Sequence, residues 1–254
     1  MGLSTYAANK VLDHLCGTAN WSIPTTEISL HSTDPGLTGA NEVSAGWYSR
    51  KQPASGWNVA TTAGVTNNGQ VTWDAVIGSD VTVTHIGLWD TEGSSNFLFS
   101  IDIANKTFTA GSVPKILDGT ILITPGAAYH NDIKAAIADH LVGRAAMAFD
   151  TSVHLALYTV SPTQSTNGTE AIGGSYARQS IDFDAAASGA TDNTDEENFP
   201  TATADLGTIL AFAIRSESSG TAGNMHLFGA LTSSIIVNNQ DEYKALVGAI
   251  DFTI

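Results

Sequence analysis

The feature that most constrains this chain is that its 254 residues repeat themselves. Val11-Leu12-Asp13-His14-Leu15-Cys16-Gly17 returns as Ile137-Ala138-Asp139-His140-Leu141-Val142-Gly143, at an offset of 126. Ile28 to Ser32 with Pro35 returns as Leu155 to Thr159 with Pro162, at 127. Glu42 and Tyr48-Ser49-Arg50 match Glu170 and Tyr176-Ala177-Arg178, at 128. Ile86-Gly87-Leu88 faces Phe212-Ala213-Ile214 at 126, and Lys115 to Gly119 faces Lys244 to Gly248 at 129. Matches in one order, with offsets that drift by a few residues, are what a duplication leaves after small loop insertions. The boundary falls near Thr124-Pro125-Gly126, giving a first repeat over 1–125 and a second over 126–254. Repeats of about 125 residues can each bury a core without disulfides or metals.

Each copy opens on a helix. Ala7, Val11 and Leu15 lie at i, i+4 and i+8, as do Ile133, Ile137 and Leu141, which places one apolar stripe on each helix. Asp132 is the expected N-cap of the second helix, and Gly17 and Gly143 stand where a C-terminal glycine ends a helix. A strand follows, alternating as Ile28/Leu30 and Leu155/Leu157, with one face expected buried and the other wet. Further strands are read at Val71–Trp73, Val81–Val83, Phe97–Phe99 and Thr120–Thr124 in the first copy. In the second they are read at Ile209–Ile214, Met225–Phe228, Ser234–Val237 and Ile250–Ile254. Strands separated by turns, with no helices between them, predict a mainly β fold: two tandem antiparallel β-sandwich domains, each with a short N-terminal helix.

Charge removes several classes of function. The net charge is −15, of which the first copy carries −5 and the second −10. A nucleic-acid binder needs a basic face, and an anionic membrane surface asks for the same, so neither partner is expected. The acidity reads as solubility. Cys16 is the one cysteine, so no internal disulfide forms. The N-terminal MGLSTYAANK has neither a basic n-region nor an apolar core, so it is not expected to act as a signal peptide. No apolar run approaches the ~20 residues of a membrane-spanning helix.

Chemical motifs are scarce. The seven histidines include no H-x-x-x-H or H-E-x-x-H spacing, and no metal site or cofactor is expected. His14 and His140 sit in a last helical turn, where interaction with the helix dipole accounts for them. The acidic run Asp192 to Glu197 has Glu197 where a calcium loop needs glycine, so it reads as a solvated loop. Cys16, replaced by Val142 in the second copy, reads as packing. No nucleophile elbow or phosphate-binding loop is present, and no catalytic residues are expected. Glu42/Arg50 and Glu170/Arg178 recur eight residues apart as ion pairs or loop anchors. All five tryptophans (Trp21, Trp47, Trp57, Trp73 and Trp89) lie in the first copy. Trp73 and Trp89 fall in strand-like runs and are expected in the core. The interface candidates are Trp47, Tyr48, Arg50, Trp57, Tyr176 and Arg178.

The segments GANEVSAGWYSRK (Gly39 to Lys51) and GTEAIGGSYARQSIDF (Gly168 to Phe183) resemble the G-x-E-V-S-G-G-S-Y-A-R-Q stretch of small virion proteins of tailed bacteriophages. Leu12 to Gly17, Pro24 to Ser32 with Asp34-Pro35, Val83 to Asp90 and Leu227 to Asp241 resemble further segments of that family. The second copy departs from it at Leu210 to Ser216. The resemblance implies a non-enzymatic structural component of a phage particle, assembled in the host cytoplasm. It points first to a capsid decoration or cement protein, held by interfaces with the major capsid protein, other virion proteins and copies of itself. The alternative is a tail fibre, tail-tip or host-binding adhesin module, which would show solvent-exposed aromatics in a groove. A glycan-degrading enzyme, which needs two close carboxylates in a cleft, is the remaining rival.

Overall fold

The computed structural model describes residues 2–91, 95–126, 129–220 and 223–254. The first repeat runs β1 (Gly2–Leu3), α1 (Thr5–Leu15), β2 (Thr26–His31), β3 (Val65–Thr66), β4 (Val71–Thr72) and β5 (Val81–Asp90). It continues with β6 (Asn96–Phe108), β7 (Lys115–Ile116) and β8 (Leu122–Ile123). The second runs α2 (Asn131–Leu141), β9 (Val153–Val160), β10 (Thr169–Glu170), β11 (Gln179–Ile181), β12 (Ala190–Asp192) and β13 (Glu197–Asn198). It ends with β14 (Gly207–Arg215), β15 (Met225–Val237), β16 (Lys244–Ala245) and β17 (Asp251–Thr253). The fold is mainly β, with two tandem repeats. Every strand pairing is antiparallel. No helix among the described residues is long and apolar enough to cross a membrane.

The first repeat builds a four-stranded sheet in the order β1-β6-β5-β2, with the ribbons β3-β8 and β4-β7. The second builds β10-β9-β14-β15, with β11 also on β9, and the ribbons β12-β17 and β13-β16. Side chains of β9, β14 and β15 and of the β16 ribbon line one apolar groove, which places the ribbon over the sheet as a second layer.

Several strands differ from expectation. Met225–Phe228 and Ser234–Val237 are one continuous strand, β15, and Phe97–Phe99 is the start of the long β6. A register shift between Ile209 and Ala211 lets β14 follow β15 through Gly229 and Ala230, which read as a break in sequence. β2 and β9 are also not half wet. Ser29 and His31 are as buried as Ile28, and Ala156 and Tyr158 match them. The loop after β2 folds back over that face: His31 Nδ1 bonds Ala40 O at 2.7 Å, and a Cβ on Gly39 would lie 2.3 Å from the Trp89 ring.

Both helices form on their apolar stripes; Ala7, Val11, Leu15, Ile133, Ile137 and Leu141 are all buried. Ser4 caps α1, its Oγ accepting Ala7 N–H at 3.0 Å. Asp132 is not the N-cap of α2. It lies inside the first turn, and His130 caps instead, its Nδ1 accepting Asp132 N–H at 3.2 Å. Gly17 (φ 75°) and Gly143 (φ 73°) end the helices as read. Thr18 N–H reaches Asp13 O at 2.9 Å and Arg144 N–H reaches Asp139 O at 2.8 Å, the long bond of a Schellman cap.

Contacts group the chain into two compact units, a division different from the repeats. One comprises Met1–Ala8, Ser22–Thr124 and Ala135–Met147; the other comprises Asn9–Trp21, Pro125–Lys134 and Ala148–Ile254. Each unit thus contains the start of one helix and the end of the other. Within the first unit, Asp139 Oδ1 accepts Ala60 N–H at 3.0 Å and Thr26 Oγ1 donates to Val142 O at 2.6 Å. Within the second, Asp13 Oδ1 accepts Ala186 N–H and Asn9 Oδ1 accepts Gly189 N–H, both at 2.7 Å. Ala60 and Ala186 are equivalent positions, as are Asp139 and Asp13, so the same bond is made in each unit.

Candidate functional site

The recurring Glu and Arg of each repeat form a bonded triad with the intervening tyrosine. In the first repeat Glu42 Oε1 accepts Tyr48 O–H at 2.7 Å and Arg50 Nε–H at 2.9 Å, while Oε2 accepts Arg50 Nη2–H at 2.7 Å. The Tyr48 hydroxyl in turn accepts Leu30 N–H of β2 at 3.1 Å. The second repeat makes the same set: Tyr176 to Glu170 at 3.1 Å, Arg178 to both Glu170 oxygens at 2.8 and 2.7 Å, and Leu157 N–H to Tyr176 at 2.9 Å. The arginine forks are bidentate, the strongest geometry for this pair.

Burial and hydrogen bonding shift the titration of Glu42, Tyr48, Tyr176 and Arg178. Burial pushes Glu42 up, but the bonds from Arg50 and Tyr48 outweigh it and hold the carboxyl below its ordinary value. Burial drives the Tyr48 and Tyr176 hydroxyls far above theirs, with the neighbouring carboxylates adding to the effect. The Glu170 hydrogen bond raises Arg178 further. Groups so placed anchor a loop to a strand.

The two clusters differ in what covers the arginine. Arg50 stacks 3.6 Å over the Trp89 ring, bonds Ser95 Oγ, and keeps 21% of its side chain exposed. Arg215 stands at the position of Trp89 in the second repeat. Arg178 is capped by backbone instead, donating to Glu217 O at 2.7 Å and Gly220 O at 2.6 Å, and only 3% of its side chain is exposed.

The other interface candidates are also packed. Trp47 is 4% exposed and meets Tyr48 edge-on at 6.0 Å; Trp57 is 9% exposed and bridges Asn67. Trp21, Trp73 and Trp89 are buried too, and no Trp, Tyr or Phe among the described residues is fully exposed.

Two functional positions escaped the sequence reading. Asn67 Nδ2 donates to Gly69 O and Leu117 O, both at 2.9 Å, and its Oδ1 accepts Ile121 N–H at 2.9 Å. Asn193 repeats this with Asp195 O (2.6 Å), Leu246 O (3.0 Å) and Ile250 N–H (2.9 Å). Each buried amide clips a turn to the C-terminal ribbon of its repeat. Their common offset of 126 is the signal that extending the repeat through this turn brings out.

His14 and His140 serve structure through their ring hydrogen bonds. His14 Nδ1 accepts Trp21 N–H at 3.1 Å and Nε2 faces Ala148 O at 2.9 Å, so Nε2 carries the proton and the ring is neutral. His140 Nδ1 likewise accepts Met147 N–H at 3.0 Å. Each ring therefore ties down the loop after its helix, in place of the expected dipole interaction. His85, Asp102 and Ser100 share a depression, but His85 Nε2 is bound to Asp102 at 2.6 Å and Nδ1 to Thr84 at 2.7 Å. Cys16 is buried, and desolvation followed by the Asp13 charge raises its thiol strongly. In the acidic run, Asp192 ends β12, Glu196 pairs with Lys244 at 2.8 Å, and Glu197 begins β13. Among the described residues no group of three or more His, Cys, Asp or Glu could hold a metal ion.

The family described as podophage GP4 fiber I protein gp80 matches residues 2–124 and again residues 128–253. The chain belongs to this family. It is a family of phage virion structural proteins, and the chain carries its domain twice, end to end. Among curated proteins, none matches the chain. In this chain each copy of the matched domain carries its own Glu–Tyr–Arg triad, asparagine clip and glycine-capped helix.

Proposed function

We propose that this chain is a non-enzymatic fibre component of the phage tail, held on the particle by protein–protein interfaces. The observation that carries this reading is the double match to a fibre family, which takes in both repeats almost from end to end. It favours the fibre over a capsid decoration protein, the first reading of the sequence. The partners are other virion proteins and further copies of the chain. A glycan-binding role has less support. Stacking on a sugar ring needs an exposed aromatic face, and the tryptophans that motivated it are buried.

The test is gold-labelled antibody against the chain on intact particles of the source phage, viewed by electron microscopy. Label at the tail is the expected result. Label spread over the capsid shell would overturn the fibre reading and restore decoration.

A further inference from the structure

The two repeats share a fold, so each is a control for the other's surface. On the outer arm of the sheet the first repeat carries Thr84, Lys106 and Thr107, with Asp118 in the turn after β7. The equivalent residues of the second repeat are Leu210, Ile235, Ile236 and Val247. The strand registers confirm the correspondence, since Val83 faces Lys106 and Ile209 faces Ile235. Ile235, Ile236 and Val247 are 46%, 65% and 62% exposed. Four polar positions have become apolar without becoming buried.

Of these, Ile235 lines a groove of about 270 Å³ between the sheet and the β16 ribbon, together with Leu155, Leu157, Phe199, Leu231 and Leu246. Trp73, 2% exposed, stands at the position of Phe199 in the first repeat and brings a larger ring to that core. The rim has changed as well. Asp195, Glu196 and Glu197 replace Gly69, Gln70 and Val71. The Asn193 amide holds this acidic turn beside the groove, because it bonds Asp195 O and Leu246 O together. Burial, with Asp182 and Asp195 nearby, pushes the Glu197 carboxyl up, so negative charge is crowded there. Glu196 pairs with Lys244 at 2.8 Å.

We propose that this face of the second repeat docks an apolar segment flanked by basic side chains on another protein of the particle. The apolar groove takes the centre of the segment and the acidic turn takes its flanks. A second copy of this chain fits poorly, because its own acidic rim would meet a like charge. The proposal rests on the chain being a particle component.

The test uses the full chain and two fluorescent peptides with the same leucine- and isoleucine-rich centre, one flanked by lysines and one by glutamates. Fluorescence anisotropy is expected to show salt-sensitive binding of the lysine-flanked peptide alone. Ile235→Lys with Val247→Asp, which restores the residue types of the first repeat at exposed sites, is expected to weaken it about tenfold or more. Asp195→Asn with Glu197→Gln is expected to weaken it about threefold and remove the salt dependence. No binding, equal binding of both peptides, or indifference to Ile235→Lys/Val247→Asp would overturn the proposal. So would sedimentation showing self-association that the same variant abolishes, since the occupant would then be a second copy. Particles assembled with this variant separate the two readings. Gold label on the capsid with the variant lost from particles sinks the fibre and keeps the docking face; tail label with the variant retained does the reverse.

Discussion

The first repeat fills its interior with indole rings, whereas the second uses smaller groups at the same places. Trp57 and Phe183 bridge the clip residues Asn67 and Asn193, Trp73 is answered by Phe199, Trp47 by Ser175, and Trp89 by Arg215. What stays fixed is the set of polar anchors: Glu42–Tyr48–Arg50 against Glu170–Tyr176–Arg178, and one asparagine against the other. Directional bonds to backbone cannot be moved without leaving buried groups unpaired, while apolar filling tolerates exchange when volume is redistributed. The two copies therefore hold the same frame and differ in filling and in surface.

The comparison is sharpest at the arginines. Arg178→Ala removes a side chain that is 3% exposed and bonds a carboxylate and two backbone carbonyls. It is expected to cost about 4 kcal/mol, the range for breaking a buried pair. Arg50→Ala, at 21% exposure, is expected to cost about 1 kcal/mol beyond its lost stacking on Trp89. Urea unfolding of the two variants checks this; equal losses would break the distinction between a backbone-capped arginine and an indole-capped one.

The helix caps come next. A Cβ on Gly143 would lie 2.2 Å from Pro24 O, whereas one on Gly17 would lie 2.8 Å from Asp150 O, and both residues have positive φ. Gly143→Ala is expected to cost about 3 kcal/mol and Gly17→Ala about 2 kcal/mol, the difference being backbone overlap. Intrinsic fluorescence reads the first of these directly, because Trp47, Trp57, Trp73 and Trp89 lie in the unit that holds Gly143. A Gly17 variant weaker than its Gly143 counterpart would reverse the ranking.

The smallest effect is in acid. The folded Glu42 carboxyl lies below its unfolded value of 4.5, so its contribution is complete above that pH and is lost as pH falls through the folded value. Glu42→Gln is expected to flatten the acid limb of stability between about pH 5 and pH 3, followed by urea midpoints. An unchanged slope would show that Arg50 and Tyr48 do not hold the carboxylate.

Much of this organisation was legible in the residues. Helix stripes, terminal glycines and the eight-residue Glu–Arg spacing are local patterns, and local patterns recur visibly in a duplication. Long strands were not legible where Gly229 and Ala230 interrupt the apolar run, because a register shift absorbs the break. The asparagine clips were hidden because Asn67 and Asn193 sit in turns rich in polar residues, where sequence does not show which side chain turns inward. The docking groove was hidden for the opposite reason: Ile235 reads as part of an ordinary strand, and only its exposure sets it apart. Nothing in residue spacing says which copy of a helix completes which sheet.

The helix ends have a consequence for the gene. The unit holding Ser22–Thr124 is completed by Ala135–Met147, and the unit holding Ala148–Ile254 by Asn9–Trp21. Deleting either half of the reading frame would strip the survivor of the helix end that its sheet had come to use. Duplication in this chain thus trades equivalent parts: each sheet uses the other copy's helix end, while a survivor of recombination back to a single copy would keep the matching end of its own helix, with Asp13 or Asp139 at the same position.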